Sequence, residues 1–241
     1  QRGQEGKDHI WLPTGDEFVA RMLELAGVTA ADIVYDLGAG DGKIPIAAGK
    51  RFGATAVGIE YDAELARHAQ CLVEAEGVQD RVTVLQGDIF EADFSAASVV
   101  TLYLLPELNM RLRPALLDMQ PGTRVVSYSF TMGDWPSDDY AETSEGLVYL
   151  WVVPAKVDGE WSFTAPSGEL GFDVTFEQTF QSIDGVARNA PLTGKLRGHS
   201  IEFEYVHDGA QAHFSGAVEG NRMSGTVMRD GQRVEYVATR D

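Results

Sequence analysis

Along the first 130 positions, apolar residues follow two alternating rhythms. Short β-branched or aliphatic runs, such as Ile33-Val34-Tyr35, Val57-Gly58-Ile59, Val82–Leu85 and Val99–Leu104, have the look of buried strands. Between them, apolar residues return every three or four positions, as on one face of a helix. The clearest case is DEFVARMLELA at 16–26, where Phe18, Met22 and Leu25 share a face and Gly27 follows as a stop. The pattern predicts helix 16–26, strand 32–36, helix 43–51, strand 55–59, helix 62–76, strand 82–86, strand 98–104, helix 107–118 and strand 123–130. Asp62 is the expected N-cap of the helix at 62–76, and Gly77 its stop. Strands alternating with helices imply a parallel sheet covered on both faces.

After about residue 146 the helical rhythm disappears. LVYLWVVP (147–154) and EWSFTA (160–165) flank Asp158-Gly159 and are expected to pair as a hairpin. From Gly168 onward come GFDVTFEQTF, IEFEYVHD, QAHFSGAVEG, NRMSGTVMRD and QRVEYVATR, all alternating in-and-out patterns. Asp184-Gly185, Asp208-Gly209, Glu219-Gly220-Asn221 and Asp230-Gly231 are expected turns, and Gly216, Gly220 and Gly225 are assigned to bends and turns. The expectation is an antiparallel meander over 167–241, curled against the first domain or partly closed into a barrel, following a domain over 1–166 whose first 14 residues form a flexible arm.

The chemistry concentrates in IVYDLGAGDGK, residues 33–43: a strand, a glycine turn and a helix start. Gly38, Gly40 and Gly42 let the backbone turn tightly and approach a ligand. A dinucleotide fingerprint would need its third glycine at position 43, which is lysine. Asp36 at the strand end would repel a pyrophosphate but suits an ammonium. Glu60 ends the second strand, where a carboxylate can accept both ribose hydroxyls, and Asp88 follows the third, where it can accept from the adenine amine. Amine, ribose and adenine together describe S-adenosylmethionine (SAM).

With DLGAGDG at 36–42, GIEYD at 58–62 and QGDIF at 86–90, the chain resembles the class I, seven-stranded SAM-dependent methyltransferases over roughly residues 10–165. The resemblance implies a Rossmann-like, doubly wound α/β fold with a mostly parallel seven-stranded sheet, completed by the hairpin after residue 146. It also implies that Asp36, Gly38, Ala39, Gly40 and Gly42 hold the methionine end, Glu60 and Tyr61 the ribose side, and Asp88 and Ile89 the adenine. Leu12-Pro13-Thr14, DLGAGDGK with Ile44, and YLLPELN at 103–109 resemble the lysine methyltransferases of the ATP synthase c-subunit type. The C-terminal meander is not part of the typical family member.

Charge narrows the partner. The net charge is −18, and residues 1–150 carry 11 basic against 24 acidic side chains, a balance of −13. Nucleic acid needs clustered cations, so it is not the expected partner; a cationic or neutral acceptor is easier to admit. Cys71 is the single cysteine, so no internal disulfide forms, and it reads as a small buried helix residue. The histidines lack metal-ligand spacing and no metal is expected. No apolar run reaches membrane-spanning length. The chain begins with Gln1, which reads as processing or trimming; the cytoplasm is favoured because SAM is made there, with export left open.

Methyl transfer needs a neutral nucleophile aligned with the sulfonium and shielded from water. The acceptor side should lie beyond the carboxyl ends of the strands. Tyr103, also a candidate cofactor contact, and Glu107, from the Tyr-Leu-Leu-Pro-Glu segment, are candidate pocket and proton-accepting residues, with packing for Tyr103 and a dipole-favoured helix-start acid for Glu107 as the plainer alternatives. This segment departs from the Asp/Asn-Pro-Pro-aromatic motif of many amino methyltransferases. Tyr128, Phe130, Asp134 and Trp135 are a second candidate wall, suited to a methylated ammonium through cation–π attraction, and His9 beside Trp11 is a candidate base. Three readings stay open: methylation of an amine on a protein lysine or small molecule; methylation at oxygen, sulfur or another atom within a pocket walled by the meander; and a non-catalytic SAM-binding assembly module. Pairing of exposed meander strands between subunits is a further expectation, giving a homo-oligomer.

Overall fold

The computed structural model describes residues 15–144, 146–165 and 171–240. The arm residues His9, Trp11 and Thr14 lie outside them. Two compact units divide the chain at Val152 and Val153.

In the first unit the elements follow the sequence rhythm closely: α1 (Asp16–Leu25), β1 (Ile33–Leu37), α2 (Lys43–Phe52), β2 (Thr55–Glu60), α3 (Ala63–Ala75), β3 (Val82–Gln86), β4 (Val99–Leu102), α4 (Pro106–Leu117), β5 (Arg124–Tyr128), β6 (Asp139–Glu142) and β7 (Leu147–Val152). Asp62 caps α3 as expected, its carboxylate accepting from the Glu64 and Leu65 amides at 2.8 and 2.9 Å. The α1 cap is Gly15, with no side-chain bond to the helix end. Cys71 corrects its assignment: it is exposed, because α3 turns Ala66, Ala69 and Val73 toward the core and leaves position 71 on the outer face.

The sheet order is β3-β2-β1-β4-β5-β7-β6, parallel from β3 to β5, with β7 antiparallel to both neighbours. The order reverses beside β1, and a topological switch of this kind opens a crevice at the carboxyl ends of the strands. One face carries the core of Phe18, Met22, Leu23, Val34, Ala48, Ala69, Val126 and Val148. At the opposite, amino-terminal edge, Asp32 pairs with Arg124 and accepts from Ser98 Oγ at 2.7 Å, while Arg124 donates to the Ala26 carbonyl at 2.8 Å. That network ties α1, β1, β4 and β5 together away from the crevice.

The hairpin closing this sheet differs from expectation. Strand 147–152 pairs with 139–142, a short segment whose residues Asp139, Tyr140 and Glu142 are exposed and carry little strand signal. Residues 159–164 form β8 (Gly159–Thr164), which belongs to the second unit, so the first domain ends at 152 rather than at 166.

The second unit is a closed antiparallel barrel of eight strands: β8, β9 (Gly171–Thr179), β10 (Ser182–Ala187), β11 (Ala190–Arg197), β12 (Ser200–His207), β13 (Ala210–Glu219), β14 (Arg222–Arg229) and β15 (Gln232–Thr239). Successive strands are neighbours, and β15 returns to β8 through the Val237–Thr239 and Ser162–Thr164 register. Alternate residues point inward and fill the interior with rings, among them Trp161, Phe163, Phe176, Phe203, Phe214 and Tyr236. Closure joins the two end strands over three residue pairs, which shortens the edge that pairing between subunits would use.

Two glycine assignments are also corrected. Gly185 lies within β10 rather than in a turn; the neighbouring turn uses Arg188 and Asn189, both with positive φ. Gly216 and Gly225 face each other in mid-strand. A Cβ at Gly216 would meet Tyr236 Oη and the Ser224 carbonyl at 2.5 Å, and one at Gly225 would meet the Ser215 carbonyl at 2.0 Å. Gly216 leaves room for the Tyr236 hydroxyl, and Gly225 for the close backbone of Ser215 and Gly216. Gly225→Ala is therefore expected to lower stability by about 2–4 kcal/mol in denaturant unfolding. Gly171→Ala, where a Cβ meets nothing within 4 Å, stays within about 0.5 kcal/mol of the parent.

Candidate active site

The carboxyl edge of β1 is the centre of the site. Asp36 lies between Gly58 of β2 and Thr101 of β4 in register, 2% exposed in the middle of the sheet. Thr101 Oγ1 donates to Asp36 Oδ1 at 2.7 Å. The other oxygen, Oδ2, is buried without a hydrogen-bond partner among the described residues. An orphaned buried carboxylate oxygen is costly, and it marks where a ligand donor belongs. Burial pushes the Asp36 carboxyl up to about 7; Thr101 opposes the rise, while the acids Glu60 and Asp41 add to it.

After β1 the chain makes its turn through Gly38, Gly40 and Gly42, at φ 86°, 58° and 80°. Left-handed backbone of this kind is what glycine permits. The Gly38 and Ala39 amides donate to the Ile59 carbonyl at 2.8 and 2.9 Å, which fastens the turn to β2. Glu60 fastens it again: one of its oxygens accepts from the Gly40 amide at 2.8 Å and the other from the Asp62 amide at 2.8 Å. Glu60 is 1% exposed, so it braces the glycine turn as well as ending β2. Each carboxylate oxygen keeps a second lone pair for a ligand hydroxyl. Tyr61, the next residue, is exposed.

Beyond β3, Asp88 is half-buried and accepts from the Phe90 amide at 3.0 Å, and Ile89 is buried. Between this segment and α4 lies a groove of about 430 Å³, with Arg111 3.7 Å above the Phe90 ring.

At the end of β4, Tyr103 is half-buried with its ring 4.8 Å edge-on from Tyr128, which lies 4.5 Å from Phe18 of α1. Tyr128 and Phe18 are core residues, so Tyr103 has a fixed backing. Glu107 is exposed in the first turn of α4. Trp135 is a correction. It is 1% exposed, its carbonyl accepts from Trp151 Nε1 at 3.0 Å, and it packs under the loop after β5 instead of walling an acceptor. Asp134 is not free for substrate either: it pairs with Arg113, which also donates to the Met132 carbonyl at 2.9 Å and holds this turn. Arg113 keeps the Asp134 carboxyl below its ordinary range.

Thr101 and Asn109 were missed at the sequence level. Their signal was polarity in apolar surroundings: Thr101 interrupts a strand buried at every position, and Asn109, in α4, is fully buried with its amide 3.2 Å from Ser127 Oγ. Among the described residues, no cluster of His, Cys, Asp and Glu could hold a metal ion. No helix of the described residues is long and apolar enough to cross a membrane.

The donor set fits SAM. An unpartnered buried carboxylate oxygen suits its ammonium, the glycine turn gives close backbone approach, and two further acids stand at the ends of β2 and β3. The comparisons agree. The model of the ANTKMT methyltransferase domain matches residues 36–139. A protein-lysine N-methyltransferase of Saccharolobus islandicus is 43% identical over 149 residues, 59% of this chain and 92% of that one. The Homo sapiens lysine N-methyltransferase of the ATP synthase c-subunit is 31% identical over 146 residues; the match spans 60% of this chain and 61% of the human protein. A solved structure described as an RNA methyltransferase from Salinibacter ruber, in complex with S-adenosyl-L-homocysteine, is 48% identical with a TM-score of 0.59, over 61% of this chain and 96% of that one. The two relatives and the solved structure each match about three fifths of the chain.

The buried acid gives a test of opposite signs. With a folded value near 7 against an ordinary 3.8, Asp36 binds its proton more tightly in the folded state, so its contribution to stability falls as pH rises through that window. Asp36→Asn removes the buried charge at pH 8. The ligand-free melting temperature at pH 8 is expected to hold or rise, while S-adenosylhomocysteine affinity, by isothermal titration, falls at least about 30-fold through loss of a charged hydrogen bond.

Proposed function

Because the chain belongs to the SAM-dependent protein-lysine N-methyltransferase family, we propose that it moves the SAM methyl group to the amine of a protein lysine. The observation that carries this reading is the unpartnered Asp36 oxygen at the centre of the crevice, which sets where a cofactor ammonium lies. With that end fixed, Glu60 takes the ribose hydroxyls with Tyr61 beside it, and Asp88 and Ile89 take the adenine. Tyr103, at the end of β4 on its backing of Tyr128 and Phe18, would wall the side from which an acceptor meets the methyl group that SAM supplies.

The reaction is an in-line displacement. The neutral amine attacks the methyl carbon, the carbon–sulfur bond breaks, and the sulfonium leaves as an uncharged thioether. The product nitrogen carries the positive charge until it loses a proton. Tyr103 walls the approach and fixes the nitrogen's direction, which is most of what the enzyme must do. Glu107, exposed on the first turn of α4, receives the proton that the incoming ammonium must shed. The acidic balance of −13 over residues 1–150 favours a cationic side chain and opposes polyphosphate, so an RNA acceptor is the weaker reading despite the Salinibacter relative's description.

Formation of S-adenosylhomocysteine should be followed with lysine-bearing proteins, small amines and RNA oligonucleotides in parallel. The expected result is turnover with a lysine protein, lost in Asp36→Ala and reduced about 10–100-fold in kcat/KM by Tyr103→Ala. Turnover with RNA alone would overturn the acceptor assignment.

A further inference from the structure

Thr101 and Asp36 form a unit with a property that the cofactor contacts alone do not require. The Asp36 side chain projects from the central strand into a place where both charged groups that act on it, Glu60 from β2 and Asp41 from the glycine turn, are acids. Among the described residues it has no cationic partner there. Its sole hydrogen bond among them is the 2.7 Å donation from Thr101 Oγ1 on β4, directly across the register. That bond occupies Oδ1, fixes the plane of the carboxyl group, and leaves Oδ2 as the oxygen open to a ligand. Thr101 itself is fully buried, and a buried hydroxyl in an otherwise apolar strand is retained at a cost unless it makes such a bond.

We propose that Thr101 is the positioning residue of the cofactor site, and that it makes cofactor capture proton-linked: Asp36 keeps a proton while the site is empty and releases it to solvent when the cofactor's ammonium arrives. This rests on the SAM reading above. The balance is simple. The O–H bond at Oδ2 breaks, the proton leaves to buffer, and an ammonium N–H then donates to the carboxylate oxygen it exposed. The cofactor supplies the counter-charge that this acidic neighbourhood lacks. Burial with two neighbouring acids disfavours the charged carboxylate, and the Thr101 hydrogen bond favours it. Thr101 therefore sets the pH at which the site becomes competent.

The test is isothermal titration of the full chain with S-adenosylhomocysteine between about pH 5.5 and 8, in two buffers of different ionisation enthalpy, on the parent, Thr101→Ser and Thr101→Val. Below neutrality the parent should release close to one proton per ligand, and its affinity should weaken by nearly tenfold per pH unit. Thr101→Ser keeps the hydroxyl and should retain this profile. Thr101→Val, close in shape, should keep the melting temperature, bind about tenfold more weakly at neutral pH, and show its transition at higher pH. A merely structural threonine would not move the pH transition. If Thr101→Val matches the parent in affinity and transition, the positioning role is wrong. If the parent binds with flat pH dependence and no proton release, the cofactor reading stands and the proton linkage falls. If the parent binds at no pH, the cofactor reading fails and takes this inference with it.

Discussion

A carboxyl group buried with no cation beside it among the described residues is the constraint on which the rest of the first unit depends. Asp36 sits at the end of the central strand, where burial is deepest, next to another acid at the end of β2. Neither would be stable there without help. Glu60 is satisfied by the Gly40 and Asp62 amides, Asp36 by half, through Thr101. The half left over explains the surroundings. Glycines are needed where the backbone must curl close enough to present amides to Glu60 and leave room beside Asp36, and β4 must bring a hydroxyl to the one register position opposite the acid. The amino-terminal network of Asp32, Ser98 and Arg124 holds the same strands at their other ends, where a complete ion pair sits and no ligand is called for.

Much of this unit was legible because local and global signals agree there. The strand runs are short, apolar and β-branched, the helices carry three-and-four spacing, and Asp62 and Gly77 punctuate α3 where the structure begins and ends it. The acids at 36, 60 and 88 were readable from their place at strand ends. Thr101 was not, since its meaning depends on the cross-strand register with Asp36, and single-chain spacing does not encode register. Trp135 was misassigned for a similar reason. An aromatic in a loop after the fifth strand suits an acceptor wall, but Trp151, one strand pair away, draws it into the core.

The second half shows where periodicity runs out. Alternation gave strands and their inward faces, yet closure depends on β15 meeting β8 across a long stretch of intervening chain, a pairing that carries no local mark. SIDGVA (182–187) and APLTGKLR (190–197) went unread, because glycines in mid-strand resemble turns until it is known what they face. The same ambiguity hid Gly216 and Gly225, which allow a close backbone approach and room for the Tyr236 hydroxyl and not a bend. The family model matches residues 36–139, inside the first unit, so the barrel's contribution to function rests on its own chemistry.

The most direct measurement is a crystal structure of the chain with S-adenosylhomocysteine bound. The account predicts the ligand's amino nitrogen about 2.7–3.2 Å from Asp36 Oδ2, with the ribose hydroxyls on Glu60 and the thioether sulfur turned toward Tyr103. A ligand whose ammonium lies elsewhere, leaving Asp36 Oδ2 still without a donor, would contradict it.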